Sequence, residues 1–209
     1  MLTLNCPSCG AAVDFRSKAS VFAVCSFCKS TLVRQDMNLS DIGKMAYLQD
    51  DMTPFQLGTK GTFDKKTFEL IGRAKIGYPG GFWNEWYAMF SGHQFGWLAE
   101  AQGFLAMCFA VEGVPLPRKD KLFPGGKVDI VNKGTFHVDD IEEAHVLYGE
   151  GELPFDARVG RPSTCIDITG DNDEMGTIEY GPNDTRVYIG NYQEYDDFHF
   201  QNVRRFDGW

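Results

Sequence analysis

The sequence predicts a mainly β protein: an N-terminal zinc ribbon followed by two tandem, duplicated small antiparallel β lobes of barrel or sheet form. Three observations carry that prediction. Four of the six cysteines fall in two C-x2-C pairs near the start of the chain. Beyond them apolar residues recur at period two, punctuated by turns drawn from 23 glycines. Segments of the two halves can also be laid over one another without gaps. The expected division is a ribbon over 1–35, a helical connector over 36–54, a first lobe over 55–114, a linker over 115–125 and a second lobe over 126–209.

The ribbon rests on Cys6, Cys9, Cys25 and Cys28, written CPSCG and CSFCK. Two residues between paired cysteines let the chain turn so that both thiolates face one point, with Gly10 free to take positive φ. Alternation around Val21 and Ala23 fits a hairpin between the pairs. Disulfides are the competing reading. The opening residues (MLTLNCPSC) carry no export signal, so the expected setting is the reducing cytoplasm, which disfavours them. Four cysteines leave no open coordination position, so the expected Zn2+ is structural rather than catalytic. A piece this small cannot bury enough to fold alone, and metal binding worth on the order of 10 kcal/mol would supply the deficit. Cys108 and Cys165 stand outside the pairs, and Cys108, in the run FLAMCFAV, reads as core.

In the connector, Ser40 could cap a short helix carrying Ile42, Met45, Ala46 and Tyr47, stopped by Pro54. The first lobe opens with FELIGRAKI, where Phe68, Leu70, Ala74 and Ile76 share one face and Glu69, Arg73 and Lys75 the other, the pattern of a half-buried strand. WNEWYAMF, a turn at SGHQFG and WLAEAQGFLAMCF read as a hairpin running into a further strand. Helical signal beyond the connector is confined to a weak candidate near 138–144. Residues 60–82 align with 133–155, both opening on KGTF, and FSGHQFGWLAE resembles ITGDNDEMGTIEY; the Pro- and Gly-rich VPLPRKDKLFPGG between them reads as the linker.

Charge is divided unevenly. Residues 1–35 hold Arg16, Lys18, Lys29 and Arg34 against Asp14 alone, a balance of +3, which leaves −12 for the remainder of a chain of net −9. A body this acidic repels phosphate backbones, so nucleic acid is an unfavoured partner and the basic ribbon is its one candidate contact. No apolar run approaches the ~20 residues a bilayer-spanning helix needs, so no transmembrane segment is expected.

The body resembles a bacterial domain of unknown function, family 4178, which often follows an N-terminal zinc ribbon. The resemblance rests on Trp83, Glu85, Trp86 and Tyr87 (WNEWY), on GWLAEAQG with Trp97 and Glu100, and on GELPF with Glu152. Phe155 stands where the family usually has tryptophan. The resemblance implies an accessory role in a multi-protein system, beside membrane-associated coiled-coil proteins, small membrane proteins and polyamine-type enzymes.

Catalytic constellations are scarce. No G-x-S-x-G, Walker spacing or H-E-x-x-H occurs, and His93, His137, His145 and His199 are dispersed. The acidic run 171–174 offers oxygen ligands but fails the EF-hand pattern and reads more simply as a solvated hairpin tip. Glu85 and Glu100 are the paired carboxylates, each among aromatics that would raise a carboxyl pKa; a structural role, accepting indole N–H bonds, is the simpler reading. Trp83, Trp86, Tyr87, Phe90, Phe95 and Trp97 form an aromatic cluster with one face in the core and the other a candidate platform for a partner. The expected function is a non-catalytic, zinc-binding adaptor for protein partners. The alternatives are an enzyme or small-ligand site between the lobes near Glu85, Glu100 and His93, and nucleic-acid contact through the ribbon.

Overall fold

The structure, a computed structural model, describes residues 1–45, 52–171 and 174–205. It is built of antiparallel strands, and no α-helix is found among the described residues. The N-terminal part forms two hairpins, β1 (Leu2–Asn5) with β2 (Ala12–Phe15) and β3 (Phe22–Val24) with β4 (Ser30–Gln35). β5 (Asn38–Lys44) then pairs with β4. The expected connector helix is therefore a strand over 38–44, and Ala46 and Tyr47 lie outside the described residues. Ser40 and Asp41 face Val33 and Leu32 across the ladder, so the open edge of β4 wins over weak helical periodicity.

The body is two five-strand meanders. The first comprises β6 (Lys60–Phe63), β7 (Lys66–Tyr78), β8 (Gly81–Phe90), β9 (Phe95–Ala101) and β10 (Phe104–Ala110). The second comprises β11 (Lys127–Ile130), β12 (Gly134–Leu153), β13 (Pro162–Thr169), β14 (Glu174–Tyr180) and β15 (Thr185–Gln193). The helix candidate near 138–144 lies inside β12, paired with β13. β10 pairs with β15 and β7 with β12, so β7, β8, β9, β10, β15, β14, β13 and β12 close into a ring. The two halves are joined edge to edge in one sheet rather than standing as separate lobes with a cleft between them. The gap-free overlay also fails locally. The first KGTF is β6 itself, whereas the second begins at the turn before β12 and runs into that 20-residue strand.

Burial follows the ring. An interior cluster draws on every ring strand, with Ala74, Ile76, Tyr87, Trp97, Ala106, Cys108, Ala144, Val146 and Cys165 buried and Met175 and Tyr188 packed against them. A second cluster covers the outer face of the first meander, where Phe68, Leu70, Trp86, Phe90, Leu98 and Met107 meet Phe55 and Phe198. A third covers the second meander and takes in Leu122 of the linker.

One bulge reassigns a strand. The register of β7 against β8 shifts between Leu70 and Gly72, so Phe68 and Leu70 enter the outer cluster while Ala74 and Ile76 face the interior. Arg73 and Lys75, expected in solvent, are thereby turned into the outer face and buried. Arg73 is satisfied there. Its guanidinium donates to Asn84 Oδ1 at 3.1 and 2.7 Å and lies over the Trp86 ring at 4.8 Å.

Candidate metal centre

The two cysteine pairs sit on matching turns at the tips of the N-terminal hairpins. In the first, Gly10 N–H donates to Cys6 O at 2.8 Å and Cys6 N–H to Ala11 O at 2.8 Å, with Gly10 at φ +77° as its spacing predicts. In the second, Lys29 N–H donates to Cys25 O at 3.0 Å and Cys25 N–H to Ser30 O at 2.9 Å, with Lys29 at φ +62°. Each turn aims two sulfurs inward. The four Sγ atoms lie within 4.8 Å of one another, with Cys6 to Cys28 at 3.7 Å and Cys9 to Cys25 at 3.8 Å, and all four are unbonded thiols. Cys6 and Cys25 are buried, Cys28 is half-buried and Cys9 is exposed. This cluster could hold a metal ion and fits an N-terminal ribbon.

The surroundings tune the thiols unequally. Hydrogen bonding to the Ser30 side chain and backbone, and then to its cysteine neighbours, lowers Cys28 to about 6. At Cys9 the backbone N–H of Ala11 pulls downward, but desolvation and the three neighbouring thiols outweigh it and raise the group to about 12. A polar chain supports the site from behind. Ser30 Oγ donates to Ser8 Oγ at 3.1 Å, Ser8 Oγ donates to the Asp41 carboxylate, and Gly43 N–H donates to Asp41 at 2.8 Å. These bonds hold Asp41 below the usual carboxylate range. Asp41 belongs to β5, so the strand read from sequence as a helix is what carries this support, and no sequence signal marks it.

The remaining candidates do not converge on one site. β8 alternates, placing Trp83, Glu85 and Tyr87 on the interior face and Asn84, Trp86 and Phe90 on the outer face. Glu100 lies on the outer side, where its Oε2 accepts from Thr53 Oγ1 at 2.8 Å and from Asn84 Nδ2 and Trp86 Nε1 at 3.0 Å each. Glu85 lies on the interior side and accepts from Trp83 Nε1 at 3.0 Å. Both glutamates thus accept indole N–H bonds, on opposite faces of one sheet. His93 is at positive φ in the exposed turn between β8 and β9.

The aromatic cluster is core on both faces rather than a platform. Trp86 is wholly buried in the outer cluster, and Tyr87 and Trp97, 4.9 Å apart, are buried in the interior one. Glu152 is buried too, with Oε2 accepting the backbone N–H groups of Arg16 and Ser17 at 2.8 and 3.1 Å. It is a seat for the N-terminal part, not an exposed contact. Of the acidic run 171–174, Asn172 and Asp173 lie outside the described residues.

Burial and like charge act inside the ring. Glu85 is pushed up to about 7 by desolvation and then by Glu179, with Trp83 and Arg186 opposing. A second network escaped sequence reasoning altogether. Arg161 bridges Glu179 at 3.2 Å and Asp184 at 2.6 Å, Arg186 reaches Glu179 at 2.7 Å, and Arg186 lies over the Phe155 ring at 4.1 Å. Nothing local announces it, because its members come from β14, β15 and two loops.

A family described as Domain of unknown function (DUF4178) matches residues 56–194, which is most of the chain. The chain belongs to that family. The DUF4178 span contains both meanders and hence the whole ring, while the four cysteines lie before it. The residues that carried the resemblance have structural work in the ring: Trp83 and Glu85 bond each other, Trp86 binds Glu100, and Phe155 packs on Trp97 with ring centroids 5.9 Å apart. Comparison with curated proteins and with solved structures returned no match. No helix among the described residues is long and apolar enough to cross a membrane.

Proposed function

We propose that this DUF4178 protein is a non-catalytic, zinc-binding adaptor that holds protein partners in a bacterial multi-protein system, its partners including a membrane-associated coiled-coil or small membrane protein. The single observation that carries the reading is the four-thiol cluster. A tetrahedral ion with Zn–S bonds of about 2.3 Å sets its sulfurs about 3.8 Å apart, and the two cross-turn pairs stand at 3.7 and 3.8 Å. Four thiolates fill a tetrahedron, so the ion would shape the chain and offer no position to a substrate. The carboxylates that a hydrolytic site would need are taken up by indole, amide and hydroxyl donors instead. A metal-held hairpin also presents its side chains at low entropic cost, as an adaptor requires. Phe27, in the second cysteine turn, is 81% exposed and is such a side chain.

The test is affinity purification from the native host with mass spectrometry, using the natural chain and a Cys6→Ser/Cys9→Ser variant in parallel. A partner retained by the first and lost by the second supports the reading; recovery of nothing contradicts it.

The equal strand count of the two meanders supports a tandem duplication with β6 matching β11, rather than with the two KGTF segments matched.

A further inference from the structure

The N-terminal part has two ends with different attachments: one holds the sulfurs, and the other is built into the ring. Residues 16–22 run along the seam where β12 meets β7. Besides the two bonds from Arg16 and Ser17 to Glu152, the Arg16 guanidinium grips both oxygens of Glu69 at 2.6 and 3.1 Å. Ser17 Oγ and Tyr87 OH share a hydrogen bond of 3.2 Å. Val21 N–H donates to Leu153 O at 3.0 Å, and β3 pairs with the end of β12 through Phe22 with Leu153 and Ala23 with Glu152. Phe22 is fully buried in the interior cluster, so close to the chain that a Cβ on Gly149 would lie 3.2 Å from its ring. A side chain from outside the family span thus completes the ring's interior.

The N-terminal part cannot hold that seat by its own packing. Its buried cluster consists of Val13, Phe15, Ala23 and Leu32 together with two of the cysteines, Cys6 and Cys25. Four apolar side chains are far below what an independent fold needs, and a metal is the usual supplement at this size.

We propose that occupancy of the four-cysteine site decides whether residues 16–22 are seated on the ring, so that the metal centre acts as a conformational switch on the β7–β12 seam. The proposal rests on the metal-binding part of the reading above and goes beyond it. Loss of the ion releases both cysteine turns, and the strands between them lose the frame that positions Phe22. Withdrawal of Phe22 opens the interior beside Ile71 and Leu153. It also leaves the Glu152 carboxylate without its two donors, and a buried charge stripped of partners loosens the elements around it. The coupling is reciprocal: a seat that favours the bound state must raise metal affinity by the same factor.

The experiment is hydrogen exchange by mass spectrometry on the full chain, zinc-loaded with its content fixed by elemental analysis, before and after a strong chelator. Residues 12–24 and the seam, 69–75 and 146–155, are expected to exchange about tenfold faster or more once the ion is removed. β14 and β15 should keep their protection, and added zinc should restore the seam. Unchanged exchange at the seam overturns the proposal. So does loss of protection throughout β14 and β15, which would make the ion a condition of the whole fold. Phe22→Ser tests the reciprocal arm, with zinc affinity expected to fall about tenfold against a chromophoric chelator; an unaltered affinity overturns the coupling. A chain that binds no zinc at all contradicts the metal reading itself, a distinct result that takes the proposal with it.

Discussion

The carboxyl of Glu85 shows how the ring's interior acts on a single residue. Desolvation and Glu179 raise it from its ordinary 4.5 to about 7, with Trp83 Nε1 donating in partial compensation. A raised carboxyl pKa means the folded state holds the proton more tightly than the unfolded chain does. The stability this contributes is fully present below about 4.5 and is lost as the pH rises through about 7. Glu85→Gln keeps an oxygen acceptor for Trp83 and removes the titration. The variant should therefore gain on the natural chain as pH rises from about 5.5 to about 8, by about 2 kcal/mol. Calorimetric melting at the two pH values checks this, and parallel pH profiles would contradict it. The hydrogen-bonding role of Glu85 and Glu100 was legible from their aromatic neighbours. Their separation onto opposite faces follows from β alternation between Asn84 and Glu85, a one-residue difference that decides which core each carboxylate meets.

At the scale of elements, period-two patterning located most of the strands of the first meander and the turn between β8 and β9. It failed where pairing with distant strands overrode local pattern. A bulge in β7 splits one amphipathic strand between two cores at Leu70-Ile71-Gly72, where two adjacent apolar residues and a glycine interrupt the alternation of FELIGRAKI without encoding which core each half meets. β5 and the middle of β12 read as weak helices but lie in ladders. The tightest point in those ladders is Gly72. A Cβ there would stand 1.8 Å from the backbone oxygen of Glu152. Gly72→Ala should force β7 and β12 apart and cost about 2–3 kcal/mol, in the manner of an overpacked core. The urea midpoint should fall with little change in slope; an unshifted midpoint would show that the seam is not closed at that position.

Across the whole molecule, the cysteine spacing was legible because a metal site is a local pattern, and the β class because periodicity is local too. Ring closure was not. It depends on β10 meeting β15 and β7 meeting β12 across long stretches of sequence, and no residue near either contact encodes its partner. The docking of the N-terminal part on Glu152 is hidden for the same reason, since GELPF looks like a turn motif until residues 16–17 are laid against it.

The role proposed for the N-terminal part depends on what the four cysteine sulfurs hold. X-ray absorption at the zinc edge, with elemental analysis of the chain purified from its native host, measures this directly. One zinc per chain in a shell of four sulfurs at about 2.3 Å is the predicted result. A preparation free of metal, or a shell in which an oxygen replaces a sulfur, would contradict it.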